Sequence, residues 1–232
     1  MHVIIVDDNS PDGTGQLADR LASETGRVTV IHRPSKQGLG TAYTAGFRRA
    51  LQSEVDCIIT MDADFSHDPC YVPTLVERTA FYDLVIGSRY VPGGGVRLWG
   101  WERRLLSWGA NMLARQMLGL HVYDCTAGFR CYRRQALEAI DLDSIKADGY
   151  SYLVELLFRC QLAGLTIGEV PIVFVDRRRG TSKISRQEIF KAGITVFRLA
   201  WGRVWGWPMT QPVDQAQVKH AKAKNSDLVV HR

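Results

Sequence analysis

The sequence predicts an α/β domain built on a mainly parallel sheet with helices on both faces. Three observations predict it. Apolar, β-branched runs alternate with amphipathic stretches four times between residues 3 and 87, the connections are short, and two acidic clusters, Asp7/Asp8 and Asp62/Asp64, fall where strands end. Such alternation makes neighbouring strands parallel and places ligands at their carboxyl ends, so both clusters should face one crevice.

In chain order, Val3-Ile4-Ile5-Val6 reads as a strand, Asp7 to Gly13 as a turn, and 14–24 as a helix with Leu17 and Leu21 inward. Val28–His32 is a second strand, and 38–51 is a helix carrying Ala42, Ala45, Phe47 and Ala50. A third strand at 57–61, a helix at 71–79 and a fourth strand at 83–87 follow.

After Gly87 the pattern changes. Ser88 to Gly95 is glycine-rich and reads as a flexible loop, 102–118 as a helix bearing Arg103 and Arg104, 124–133 as turns, and 134–140 and 150–163 as helices. The run 166–175 is a strand interrupted by Pro171, which suits an edge or bulged position. The stretch 188–205 is a helix in which Lys191, Arg198 and Arg203 break the apolar run, leaving it short of the roughly 18–20 apolar residues that span a bilayer. It suits either packing on the domain or lying on a membrane surface, with Trp201, Trp205 and Trp207 at headgroup level. From Gln211 the chain is polar and reads as a disordered tail.

Composition narrows the classes. With 232 residues, 46% of them hydrophobic, the chain can bury one sizeable core. It opens directly on an apolar strand, so neither a signal peptide nor a leading transmembrane helix is expected. Its five cysteines lack any C-x-x-C pair, which argues against a disulfide scaffold or zinc site and for reduced thiols in the cytosol. The net charge of +5 fits phosphorylated substrates, nucleic acid or an anionic membrane. Because Arg177, Arg178, Arg179, Lys183 and Arg186 crowd one loop and no basic stripe interleaves with aromatics, nucleic acid is the weakest of the three.

The chemistry centres on Thr60-Met61-Asp62-Ala63-Asp64-Phe65-Ser66. In an extended chain residues i and i+2 share a side, so Asp62 and Asp64 can converge on one cation, and hard oxygen ligands suit Mg²⁺ or Mn²⁺ bound together with a diphosphate. Taken alone, so short a pattern more often means a capping carboxylate beside a solvated one. At the first turn, a calcium loop fails because a strand precedes it and Pro11 sits inside it. A dinucleotide fingerprint, Gly13-x-Gly15-x-x-Ala18 with Arg33 as a base for NADP, would set three carboxylates where a pyrophosphate wants bare amides. In the remaining reading the turn holds a nucleotide's base and ribose, with Asp8 accepting hydrogen bonds and Asp12 serving the turn itself.

Several segments in order carry a resemblance: Val6-Asp7-Asp8-Asn9-Ser10-Pro11-Asp12-Gly13-Thr14, Gly38-Leu39-Gly40-Thr41-Ala42-Tyr43, Met61-Asp62-Ala63-Asp64-Phe65-Ser66-His67, Gly87-Ser88-Arg89-Tyr90, Gly128-Phe129-Arg130, Gly168-Glu169-Val170-Pro171-Ile172, Phe174-Val175-Asp176-Arg177 and Gly180-Thr181-Ser182-Lys183. Over roughly residues 3 to 200 the chain resembles the dolichol-phosphate (polyprenol-phosphate) mannosyltransferases of glycosyltransferase family 2, which have the GT-A fold.

The resemblance implies inverting transfer of mannose from GDP-mannose to a polyprenyl monophosphate, with Mg²⁺ or Mn²⁺. It implies that Val6 and Asp8 contact the nucleoside, that Asp62, Ala63 and Asp64 hold the diphosphate, that Asp62, Asp64 and Ser66 serve the metal, and that Arg89, Arg177 and Lys183 hold phosphate or sugar groups. Asp124 is similar to an aspartate sometimes proposed as the base, and it equally suits holding the sugar hydroxyls or capping a turn. By the same resemblance, 1–207 form the GT-A domain, with a nucleotide-sugar half at 1–87, an acceptor half at 88–187 and a membrane-facing helix at 188–207, before a polar tail at 208–232. Relatives begin with a further strand, so an N-terminally truncated domain is expected. The implied location is the cytoplasmic face of a membrane, reached through the helix, the basic loop or an integral partner. Another donor such as UDP-glucose, or a non-catalytic binding subunit, are the competing expectations.

Overall fold

A computed structural model of the chain describes residues 1–176 and 186–204. In order these form β1 (Val3–Asp7), α1 (Thr14–Thr25), β2 (Val28–His32), α2 (Leu39–Leu51), β3 (Cys57–Thr60), α3 (Val72–Arg78), β4 (Leu84–Ser88), β5 (Gly95–Arg97), α4 (Trp101–Leu118), β6 (Arg130–Arg133), α5 (Arg134–Glu138), α6 (Tyr150–Leu162), β7 (Ile167–Pro171), β8 (Val173–Val175) and α7 (Arg186–Val204). The basic-loop residues Arg177, Arg178, Arg179 and Lys183, together with Trp205, Trp207 and the tail, lie outside the described residues.

The strands form a four-stranded sheet in the order β3-β6-β4-β7 and two separate parallel pairs, β1-β2 and β5-β8. Strand β4 is parallel to β7, as expected, but β6 runs antiparallel to both β3 and β4. That central strand corrects the reading of 124–133 as turns. Its sequence, Arg-Cys-Tyr-Arg, hides the signal because one of its three fully buried side chains is a cation. Arg130 is fully buried, yet its Nε donates to the Ala127 carbonyl at 2.7 Å, and its terminal nitrogens donate to the carbonyls of Cys125 at 2.8 Å and Leu153 at 3.0 Å. A charge whose donors all find carbonyls can occupy a core.

Helix α1 also differs from expectation. Leu17 and Leu21 point outward, 52% and 40% exposed, while Gly15 and Ala18 face the β1-β2 pair. The contact is too close for leucine: a Cβ on Gly15 would lie 2.7 Å from Asp7 Oδ2. Near the other end of the chain, Pro171 closes β7 at the sheet edge, and the chain crosses at Ile172 to pair β8 with β5.

The larger core packs Phe47 of α2, Leu118 of α4, and Leu153 and Leu157 of α6 against Leu84, Ile86 and Tyr132 of the sheet, while Leu75 of α3 covers Val85, Phe129 and Cys131 on the other face. Each such side chain contributes about 1.5–3 kcal/mol by leaving water. Helix α7 packs on the domain by one face and leaves apolar side chains exposed on the other. Val196 and Leu199 are buried, and Arg198 donates to the buried Glu155 of α6 at 2.8 Å, whereas Ile194, Phe197 and Trp201 are exposed. Among the described residues, no helix is long and apolar enough to cross a membrane.

Candidate active site

Strand β3 delivers the two carboxylates. At its end Thr60 donates from its hydroxyl to the Gly128 carbonyl at 2.7 Å, which fixes the strand against the chain entering β6. The loop that follows is tied at three points. The Asp62 amide donates to His67 Nδ1 at 2.9 Å, the Ser66 amide and hydroxyl both donate to Asp64 Oδ1 at 3.1 and 2.5 Å, and the Val175 amide of β8 donates to the Ser66 carbonyl at 3.3 Å. Turning Ser66 back onto Asp64 puts Phe65 in the left-handed region at φ 64°, costing about 1–2 kcal/mol for a residue with a Cβ. The Phe65 ring is 90% exposed.

His67 is buried, stacked on Phe129 with centroids 5.0 Å apart and edge-on to Phe174 at 5.5 Å. Desolvation lowers its pKa against the pull of Asp62 and Asp64, so the imidazole is neutral, and the bond from the Asp62 amide assigns its proton to Nε2.

At the end of β1, Asp8 is held by Arg33, whose Nε lies 2.5 Å from its Oδ1. The same guanidinium donates to Thr41 Oγ1 at 2.6 Å and to the Gly38 carbonyl at 3.2 Å. Committed in this way, Arg33 does not serve the 2′-phosphate of NADP. Asp7 is buried and takes the Ser10 amide, and Asp12 takes both the amide and hydroxyl of Thr14, as expected of turn residues. Val6 is half-buried at the same strand end, against Gly46 of α2.

The two acidic clusters meet around the start of α2. Asp8 reaches Thr41 through Arg33, and two residues on, Tyr43 faces Gly128 beside Asp62. A Cβ on Gly128 would lie 2.9 Å from the Tyr43 hydroxyl and 3.6 Å from Asp62 Oδ1. Both carboxylate groups are thus linked to the first turns of α2, and Asp62 and Ala63 are exposed.

Arg89 and Asp124, expected as separate functional groups, are paired with each other. Arg89 Nε and one terminal nitrogen each lie 2.7 Å from a different oxygen of Asp124, and the Arg89 amide adds a third bond at 3.0 Å. Burial raises the pKa of Asp124, but the charge and hydrogen bonds of Arg89 outweigh it and hold the carboxyl below its ordinary range. Both oxygens of Asp124 are thus engaged by Arg89. Glu169 of β7 steadies the pair by accepting the amides of Tyr123 and Asp124 at 2.7 and 2.9 Å.

Three participants carried no role in the sequence reading. Glu169 and His67 sit inside recognisable motifs but act on backbone amides, which no spacing reveals. Arg103 of α4 stacks over Trp99 at 4.2 Å and donates to Asp176 at 2.6 Å, an alliance across 73 residues.

For a metal, the described residues offer no cluster of three or more His, Cys, Asp or Glu side chains. Asp62 and Asp64 supply two hard oxygen groups at an open strand end, which fits Mg²⁺ or Mn²⁺, ions that complete their shells with water and substrate phosphates. Ser66 is buried with its hydroxyl on Asp64, so it orients that carboxylate.

The chain has known relatives. The family model for glycosyl transferase family 2 matches residues 1–141. The chain belongs to that family. The enzyme is 48% identical over 205 residues to an undecaprenyl-phosphate mannosyltransferase of Micrococcus luteus, covering 88% of this chain and 84% of the relative. It is 47% identical to a polyprenol monophosphomannose synthase of Mycolicibacterium smegmatis, covering 87% and 76%. Among solved structures, glucosyl-3-phosphoglycerate synthase from Mycobacterium tuberculosis, with phosphoglyceric acid, aligns with a TM-score of 0.60 at 20% identity, covering 86% of this chain and 69% of the other. The same synthase with Mn²⁺ and UDP-glucose aligns at 0.59 and 21%, covering 85% and 68%. These structural likenesses are of fold, and the fold of this glycosyltransferase is GT-A.

Proposed function

We propose that the enzyme transfers mannose from GDP-mannose to a polyprenyl monophosphate with inversion at the anomeric carbon, giving polyprenyl-phosphate mannose and GDP. The observation that carries this reading is the 48% identity, over 88% of the chain, to a protein named undecaprenyl-phosphate mannosyltransferase. The open pair Asp62 and Asp64 at the end of β3 supports it.

In this reading Val6 and Asp8 bind the nucleoside, and Arg33 sets the orientation of Asp8. Asp62, Ala63 and Asp64 hold the diphosphate and a divalent cation. Bound there, that cation neutralises charge on the departing GDP. An oxygen of the lipid phosphate attacks the anomeric carbon from the face opposite the diphosphate, and the electrons of the breaking C–O bond pass to the diphosphate oxygen. With a second pKa near 6, the lipid phosphate is largely ionised and needs no general base. That requirement agrees with an Asp124 already committed to Arg89. Alignment of the two reactants and charge around the diphosphate do the remaining work, with Arg177 and Lys183 adding positive charge beyond Asp176.

In this reading the lipid acceptor calls for a membrane, with the enzyme peripheral on its cytoplasmic face. Two helices that pack against each other support this. Helix α4 exposes Trp101, Leu105 and Trp108, and α7 exposes Phe197 and Trp201, at spacings that put each set on one helical face.

The test is transfer of radiolabelled mannose from GDP-mannose to polyprenyl phosphate in membranes, with and without EDTA. Transfer by the wild type, lost with EDTA, restored by Mn²⁺ or Mg²⁺ and absent in Asp64→Ala, supports the reading. Stronger competition by UDP than by GDP would overturn the donor assignment.

A further inference from the structure

We propose that His67 is a positioning residue for the metal and diphosphate site, fixing Asp62 through its backbone amide and not serving as a ligand. The inference rests on the reading of Asp62 and Asp64 given under the proposed function.

Two ties act on the far half of the loop: Ser66 on Asp64 and Val175 on Ser66. The bond from the Asp62 amide to His67 Nδ1, at 2.9 Å, fixes the backbone of the first carboxylate. His67 is itself immobilised between Phe129 and Phe174, side chains from β6's approach and from β8. The loop is thereby anchored to two strands that lie elsewhere in the sequence. The lone pair of Nδ1 is directed at the amide, which leaves Nδ1 no capacity to bind a cation at the same time. If a core ring were all the site required, phenylalanine would stack as well; the nitrogen acceptor is what only some residues can supply. Such an anchor matters because the left-handed Phe65 persists only where its surroundings over-determine it. A loop released from His67 must be ordered when the ion binds, and the ion's affinity falls accordingly.

Three substitutions separate the acceptor from the ring. His67→Asn places an amide oxygen near the position of Nδ1, His67→Gln extends it past that position, and His67→Phe keeps the stacking without an acceptor. Mn²⁺ binding in the presence of GDP is measured by calorimetry on the full chain, beside the half-saturating Mn²⁺ for transfer, with thermal unfolding as the check on folding. The expected result is wild-type binding in His67→Asn and binding about tenfold weaker in His67→Gln and His67→Phe, as for a lost hydrogen bond, with kcat largely recovered at saturating Mn²⁺. Unchanged Mn²⁺ affinity in His67→Phe, or equal behaviour of His67→Asn and His67→Gln, overturns the positioning role. If His67→Phe does not fold, the contrast between Asn and Gln decides. Asp64→Ala runs alongside: intact Mn²⁺ binding there overturns the underlying metal reading, whereas its loss with His67→Phe unaffected overturns the role of His67 alone.

Discussion

Arg89 grips Asp124 by two parallel hydrogen bonds of 2.7 Å, with the carboxylate fully buried and the guanidinium 9% exposed. Trp99 and Phe174 lie over the guanidinium at 5.4 and 5.7 Å, so the pair sits in an aromatic cage beside the candidate site. Removing one partner strands a buried charge. Asp124→Asn should destabilise the enzyme by about 3–5 kcal/mol in urea unfolding at neutral pH. Because the folded pKa of Asp124 is lowered, the pair's contribution is complete above the ordinary carboxyl value of about 3.9 and is lost as the pH falls through the folded value. The gap between wild type and Asp124→Asn should therefore be flat from pH 8 to about pH 5 and close in stronger acid.

Gly128 is where α2, the end of β3 and His67 come closest. Gly128→Ala would set a methyl 2.9 Å from the Tyr43 hydroxyl, so we expect about 1–3 kcal/mol of destabilisation and a loss of transfer from displacement of Asp62. Tyr43→Phe removes the clashing atom. The double variant should recover much of both losses, and a coupling energy measured by thermal unfolding checks this.

Arg33 ties the ends of β1 and β2 to the first turn of α2. Arg33→Ala should weaken GDP binding about tenfold in calorimetry, because Asp8 loses a charged partner and Thr41 a donor. The KM for the donor should rise while that for the lipid stays level. Loss confined to the lipid KM would count against Asp8 as a nucleoside contact.

Membrane binding should depend on both helices. Trp108→Ser and Phe197→Ser change exposed side chains, so thermal stability should hold within about 0.5 kcal/mol while sedimentation with anionic vesicles falls. Vesicle binding unchanged in the double variant would count against this face.

Much of the first half was legible because its signals are local. Short β-branched runs and the carboxylates at their ends, Asp8 and Asp62 among them, need no distant partner to be recognised. The second half resists such reading for a physical reason. Strand β6 is buried by virtue of an arginine whose partners are carbonyls 3, 5 and 23 residues away. The pairing of Arg89 with Asp124 likewise spans 35 residues and leaves no local signal. Leu17 and Leu21 obeyed helical periodicity, but the tight approach at Gly15 selected the opposite face.

Strand β8 is three residues long and joins two parts of the chain that are distant in sequence. The Val175 amide binds the Ser66 carbonyl, the very next amide, of Asp176, binds the Arg97 carbonyl, and the Asp176 carboxylate takes Arg103. Adjacent residues thus bind the loop after β3 on one side and β5 and helix α4 on the other. Between Pro171 and Asp176 the enzyme consequently has no tolerance for insertion or deletion: one residue more or less would put both connections out of step at once. Variation among descendants of this chain should accumulate as point changes on either side of that segment, and its length should be inherited intact.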